Sequence, residues 1–565
     1  MLTRLRNRRG RGRRYHFIPI VLVLAVTGVL AAAGSGLEDG EATGDGSAPA
    51  RSARKAPQGG STLRIAFAER PRSLDPALAT DRTAQNVVLA LGDPLVRLGP
   101  ALQPSPGLAG RWTVSDDGLR VTFQLRNDGR WTTGERVTAS DFVYAWLRVL
   151  DPETSSPHAP LFFGIRGAKA YNECVAATCG RLRRAVGVEA RDERTLVVAL
   201  VAPRPWFPAE AAHPAFLPLH RSTVEWWGRR WTRPERIVTS GPFTLASLGR
   251  SSFSLARSAR WRDANQVGLA RVEGRVIPSA TGRTQAFDAG RVQALDGTGL
   301  PTADLPALRE RREYATYPAL APQVYAFNLA AVPDPHQRRA MALAVDRRGL
   351  AENVLGREVE PATGFTPGSA FDLPEAATAS PWLRPERDLD AARAELERGS
   401  NIVSRLTLLH IDEPGNRDVA LALAADWRDL GIETEVRSRS RRGYLDFPGP
   451  LAADSVDLFQ LEDGFRFPDL GAGLSVWACR SARNKTSFCR SELDGLLRRA
   501  AASRSRAERL GLYGEAEEIL SGEDGAMPGI PLYSDVFANL ESLAVAETFA
   551  IDPLGRIDFA AVDLP

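Results

Sequence analysis

The sequence predicts a mixed α/β protein built as more than one lobe, and three observations lead there. Period-two alternation flanks an Asp-Gly turn within 112–125, and a strand, a helix and a strand succeed one another from Leu406 to Val436. The chain is also long, 565 residues, which at about 150 residues per domain gives three to four domains or fewer, larger lobes.

The elements follow in chain order. Thr62-Leu63-Arg64-Ile65-Ala66-Phe67 alternates and opens the fold as a strand. Trp112-Thr113-Val114 enters the turn Ser115-Asp116-Asp117-Gly118; Leu119, Val121, Phe123 and Leu125 then alternate with Arg120, Thr122, Gln124 and Arg126, the pattern of a hairpin. Thr138-Ala139-Ser140-Asp141 caps a helix that ends near Leu150. At about 100° per residue, Phe142, Val143, Trp146 and Leu150 share one face of it. Tyr144 points away from that face, either lining a cleft or half-buried under a neighbouring loop. Leu406-Thr407-Leu408-Leu409, a helix from Val419 to Leu430 stopped by Gly431, and Ile432–Val436 read as a parallel strand–helix–strand unit. A short strand at Asp457–Leu461 and helices near 491–502 and 505–520 follow.

Composition excludes several classes. With 44% hydrophobic and 25% charged residues the chain is globular in character. Its net charge of +4 comes from a head in which Arg4, Arg6, Arg8, Arg9, Arg11, Arg13 and Arg14 meet no acid. Setting those seven aside leaves 65 bases against 68 acids, so the body has no general basic excess for nucleic acid. The apolar stretch Phe17–Ala33 after the head is an export signal, cut at Ala33-Gly34 or retained as an anchor. The first cysteine is Cys174, so no lipidation site follows the signal. Residues 34–60 hold 17 Gly, Ser, Ala or Pro and no aromatic residue, a flexible linker. In an exported chain Cys174, Cys179, Cys479 and Cys489 suggest disulfides; of three possible pairings the local one, 174–179 with 479–489, is expected, as structural staples.

Enzyme signatures are missing: no HExxH, GxSxG, GxxxxGK[ST] or GxGxxG, and no paired histidines, so neither metal nor cofactor is expected. The Ser52-to-Lys55 pair falls in the linker.

With these elements placed, the chain resembles the oligopeptide/dipeptide/nickel-binding solute receptors of ABC importers. The resemblance rests on Ser73-Leu74-Asp75-Pro76, Leu108-Ala109-Gly110-Arg111-Trp112, Trp131-Thr132-Thr133-Gly134 and Val137–Tyr144, then Val186–Ala190 with Thr195-Leu196. It continues through Trp231–Glu235, Ile237–Phe243, Asn328, Asp346-Arg347 and Ile530-Pro531-Leu532-Tyr533, in order along nearly all of 61–565. It implies a periplasmic-binding-protein-like clamshell of three domains, the large peptide-binding type: a discontinuous lobe I at 61–100, 232–317 and 528–565, an inserted domain II at 101–231, and a lobe III at 318–527. It further implies a monomer that captures a peptide or peptide-like ligand and passes it to an ABC permease in the membrane, without nucleic acid. The alternative on the same scaffold is a membrane-tethered ligand sensor or an extracytoplasmic peptide chaperone.

One departure from the family pattern matters. Relatives that bind a free amino terminus hold it with an aspartate in a segment of the form aromatic-x-Ala-Asp-Tyr-x-acid-Pro. Here the matching stretch, Val456–Asp469, puts Arg466 at that aspartate, between Phe465 and Phe467; Asp469 keeps the second acid and Leu470 replaces the proline. Arg466 either faces the cleft and grips an anion, or turns to solvent or to Asp469; Asp463 is a further candidate in reach. Tyr144, Tyr325, Asn328 and Tyr533 complete the candidate binding residues.

Overall fold

The computed structural model describes residues 61–99, 102–371, 382–413, 415–445, 456–461, 469–481 and 483–565. Within them are three principal sheets and a short two-stranded ladder.

The first sheet runs in the order Ala294–Leu295, Thr62–Phe67, Arg271–Val276, Ser252–Arg257, Phe243–Leu248. Thr62–Phe67 pairs in parallel on both sides, and Leu63, Ile65, Ala66 and Phe67 are all fully buried. Its second face is open at Arg64 and covered at Ala66 by Ala286 and Phe287 of helix Ala280–Asp288, which is why its alternation gives way there. Helix Arg82–Leu91 packs on this sheet, its first turn capped by Asp81, whose Oδ1 accepts from the Ala84 amide at 2.7 Å. At the end of that helix Gly241 is obligatory: a Cβ there would lie 2.6 Å from the Leu91 carbonyl carbon. That explains the glycine in the Ser240-Gly241-Pro242 run.

The second sheet is antiparallel, in the order Ala109–Val114, Arg120–Leu125, Thr195–Ala199, Val188–Ala190. The hairpin has the expected register, with Trp112 opposite Phe123 and Val114 opposite Val121, and Gly118 takes φ +67° in the turn. Helix Ala139–Leu150 covers the sheet. Asp141 reaches back to accept from the Thr138 amide at 2.8 Å, closing the N-terminus. Trp146 is fully buried among Phe162, Phe207 and Phe216, and its indole donates to the Phe216 carbonyl at 2.9 Å. Arg148 from the same helix grips Asp75 through two bonds, 2.9 and 2.6 Å. The Ser73-Leu74-Asp75-Pro76 run therefore fastens this domain to the first.

The third sheet has six strands, ordered Val359–Pro361, Gly529–Leu540, Tyr314–Phe327, Leu458–Leu461, Arg405–Ile411, Glu433–Arg439. Arg405–Ile411 and Glu433–Arg439 are parallel and joined by helix Asn416–Arg428, as the sequence predicts, with Gly431 at φ +77° ending the helix. Helices Ser491–Ala502 and Arg506–Ser521 pack together beside the sheet.

Two long strands tie the lobes together. Tyr314–Phe327 and Gly529–Leu540 pair antiparallel, with register shifts between Pro318 and Pro322 and between Gln323 and Val324. On one side of the first break Tyr317 and Phe537 pack on the core of the first sheet; beyond it Tyr325, Phe327 and Ile530 lie in the core of the third. Prolines donate no ladder bond, so the pairing is weakest at that break. The lobes also meet where Leu102, 3% exposed, joins the apolar cluster of Leu320, Phe365 and Phe371, and where Arg504 pairs with Asp116. Cys174 is bonded to Cys179 and Cys479 to Cys489. Among the described residues no helix is long and apolar enough to cross a membrane; the 17–33 stretch lies outside them.

Candidate functional site

A cavity of about 340 Å³ opens where the three parts of the body converge. The sequence folds locally to put one wall there: Phe207–Glu210 is a single helical turn whose phenylalanine joins the Trp146 cluster, and Pro214–Phe216 follows it. These segments bring Arg204, Ala209, Glu210, His213 and Phe216 to the cavity, with Pro160, Leu161 and Pro214. Gln85 comes from the helix on the first sheet, and Leu98 from the short ladder. Leu554 and Arg556 come from the C-terminal segment, and Arg483 from the lobe of the third sheet.

The polar side chains have defined roles. Arg204 lies 3.3 Å from Glu210, whose carboxyl is buried. Burial pushes that carboxyl up to about 7, against the pull of Arg204 and with a further push from the nearby Asp469. His213 accepts from the Ala215 amide through Nδ1 at 3.1 Å, which leaves its proton on Nε2. Burial, then the edge of His158 at 5.1 Å between ring centres, then Arg556 hold its pKa down, to about 3, so it stays neutral. Arg556 pairs with Asp552 (Nε to Oδ2, 2.6 Å) and Arg483 donates to the Ala472 carbonyl at 3.0 Å. Three guanidinium groups and one carboxyl of raised pKa thus share a wall with Leu98, Leu161, Phe216 and Leu554. Such a surface accepts an anionic group beside an apolar one.

Five of the binding residues expected from sequence are described, and they lie away from this cavity. The Tyr144 ring is half-buried with the Arg221 guanidinium 5.5 Å above it. Tyr325 and Tyr533 are 3% exposed in the core of the third sheet, and Arg357 lies 5.5 Å over the Tyr533 ring. Asn328 spends its side chain on the backbone, donating to the Val456 carbonyl at 3.1 Å and accepting from the Ala330 amide at 3.2 Å. Asp469 caps helix Leu470–Leu474 and accepts from Tyr513 at 2.7 Å; its charge is felt at Glu210. None of these five lines the cavity. Phe465, Arg466 and Phe467, like Asp463, lie outside the described residues. Sequence reasoning missed Arg204, Glu210, His213, Arg483 and Arg556. Only Glu210 carries a signal, a lone acid in the apolar run Trp206–Ala212.

Lobes joined by two long strands around a shared cavity define a solute receptor, the extracytoplasmic component that supplies an ABC importer. The chain belongs to the bacterial extracellular solute-binding proteins, family 5, whose model matches residues 103–483. It is 31% identical over 474 residues to the probable deoxycholate-binding periplasmic protein YgiS of Escherichia coli (strain K12), covering 82% of this chain and 86% of that one. It is 28% identical over 480 residues to the periplasmic murein peptide-binding protein MppA of the same organism, again 82% and 86%. The unliganded open form of MppA superposes with a TM-score of 0.78 at 25% identity, over 91% of this chain and 99% of that one. Another structure of MppA from Escherichia coli gives 0.64 at 26% identity, over 89% and 98%. The family consists of binding proteins that work outside the cytoplasm.

Proposed function

We propose that the protein captures a peptide or peptide-like solute bearing a negative charge in the cavity between its lobes, and hands it to an ABC permease without chemical turnover. One observation carries this reading: arginines from three separate parts of the body, Arg204, Arg483 and Arg556, converge on the cavity, and Glu210 is the one acid among the residues that line it. In a partly desolvated cleft a guanidinium keeps its charge and disfavours a neighbouring ammonium. Arg466, at the family's amine-binding position, would add to the same preference with Phe465 and Phe467 as apolar walls; Tyr144, Tyr325, Asn328, Asp469 and Tyr533 do not line the cavity. The murein peptide-binding relative supports a peptide ligand. The relative named for deoxycholate favours a second reading, an amphipathic acid whose apolar body would meet Leu98, Leu161, Phe216 and Leu554. The reading takes 61–100, 232–317 and 528–565 as one lobe carrying domain 101–231, and 318–527 as the other. It places the receptor as a monomer at the outer face of the membrane, exported but not lipidated, since the first cysteine is Cys174.

Calorimetry with matched free and N-acetylated peptides, and with deoxycholate, tests the ligand class. The natural protein should bind the acetylated peptide more tightly, and Arg466→Asp should reverse that order. A preference for the free amine that Arg466→Asp leaves unchanged would remove Arg466 from the site. Saturating ligand should also stabilise the protein by about 2.7 kcal/mol at a hundredfold excess over Kd. Small-angle scattering should then show a smaller radius of gyration as the lobes close; an unchanged profile at saturation would rule out capture between them.

A further inference from the structure

Trp226 is 80% exposed, more than any other large apolar side chain among the described residues. It stands near the end of helix Arg221–Trp227, in which only Thr223 and Val224 are buried, and the next turn, Gly228–Arg230, buries nothing. Its neighbours are committed within the fold. The Arg236 guanidinium lies 4.2 Å over Trp227, and Arg221 bonds Glu225 at 2.8 Å while covering Tyr144. The side chains of Arg229, Arg230 and Arg233 are exposed and make no hydrogen bond or ion pair with the other described residues. Residues 221–236 contain five arginines and two glutamates, on a body that otherwise has no basic excess.

We propose that this turn docks on an anionic phospholipid surface, with Trp226 at the boundary of headgroups and acyl chains and Arg229 and Arg230 on lipid phosphates. An indole projecting into water between cations gains nothing from the rest of the protein. The headgroup layer accommodates both, because it offers an apolar depth for the ring and phosphates for the guanidinium groups. Residues 221–230 line none of the described cavities. With only Thr223 and Val224 buried in 221–230 the patch is an exposed surface, which suits a headgroup layer better than a partner that must fill a groove. A bilayer is also within reach: with the 17–33 stretch retained, the 34–60 linker would hold the body within roughly 30 Å of the membrane.

The full chain, added to vesicles or anchored in them, tests this. Vesicles carry brominated phosphatidylcholine either alone or with phosphatidylglycerol at about three lipids in ten. Subtracting the emission of Trp226→Phe isolates Trp226 from the other tryptophans. Quenching of Trp226 should appear on the anionic vesicles and be absent on the zwitterionic ones. It should vanish in about 1 M salt, where the Debye length falls to about 3 Å. Arg229→Glu with Arg230→Glu should abolish it, since each arginine near an anionic surface contributes about fivefold in binding. Arg181→Glu with Arg184→Glu, the same charge change on another exposed helix of this domain, should leave it intact. No quenching, equal quenching on both lipids, or equal loss in the two charge variants would overturn the proposal. If the Arg229/Arg230 variant instead impairs ligand transfer to the permease while Trp226 stays unquenched, the patch is a protein-docking surface and the lipid assignment is wrong.

Discussion

Replacing Glu210 by glutamine should remove a loss of stability that the natural protein suffers between about pH 4.5 and 7. The Glu210 carboxyl is pushed by burial from an ordinary 4.5 up to about 7. The folded protein therefore holds a proton in that interval that the unfolded chain has released. Stability from this group is full below the unfolded pKa and is lost as pH rises through the folded one, by roughly 3 kcal/mol. Asp426, raised by burial to about 6, acts with the same sign, and His213, held down to about 3, acts with the opposite sign below about pH 6.5; both remain in the variant, so the difference between the two proteins isolates Glu210. Urea unfolding at pH 5 and pH 8 measures the effect: the natural protein should lose more stability across that interval than Glu210→Gln. Equal losses in the two proteins would mean that Glu210 is charged throughout. A charged Glu210 beside Arg204 would also weaken the cavity's preference for anions, so ligand affinity measured on the same samples ties the titration to function.

Trp146→Ala should destabilise the protein by about 3–5 kcal/mol, the loss expected for removing a fully buried indole that the surroundings cannot refill. Four aromatic rings, Phe142, Phe162, Phe207 and Phe216, lie around it with centres within 6.5 Å. The Phe216 carbonyl would also lose its donor. Trp146→Phe keeps most of the volume and loses mainly that hydrogen bond, so it should cost much less. Since Phe216 is part of the cavity wall and Phe207 opens the turn that carries Glu210, Trp146→Ala should weaken ligand binding as well. Denaturant unfolding and calorimetry on the two variants check both expectations. A loss below about 1 kcal/mol for the alanine variant would show that the cluster rearranges to fill the space.

Much of the fold was legible in the chain because short-range pattern controls it. The hairpin at 112–125 follows from alternation around Asp117-Gly118, and helix Ala139–Leu150 from Thr138 and Asp141 bonding across one turn. The parallel unit from Arg405 to Arg439 follows from two apolar strands and a helix ended by Gly431. Ordered motifs such as Ser73–Pro76 and Ser240–Pro242 identified the family, and two of their residues have visible work here: Asp75 receives Arg148, and Gly241 lets two segments touch. The cavity was not legible. Arg204 with Glu210, Arg483, and Arg556 belong to three segments far apart in sequence, and no periodicity relates them. Nor does an aromatic off a helix's core face reveal what covers it, as Tyr144 under Arg221 shows. Local sequence determined the strands, the helices and the membership of a family. Only tertiary structure decided which charges meet, because long paired strands and packed cores bring distant segments together and burial sets what those charges can do.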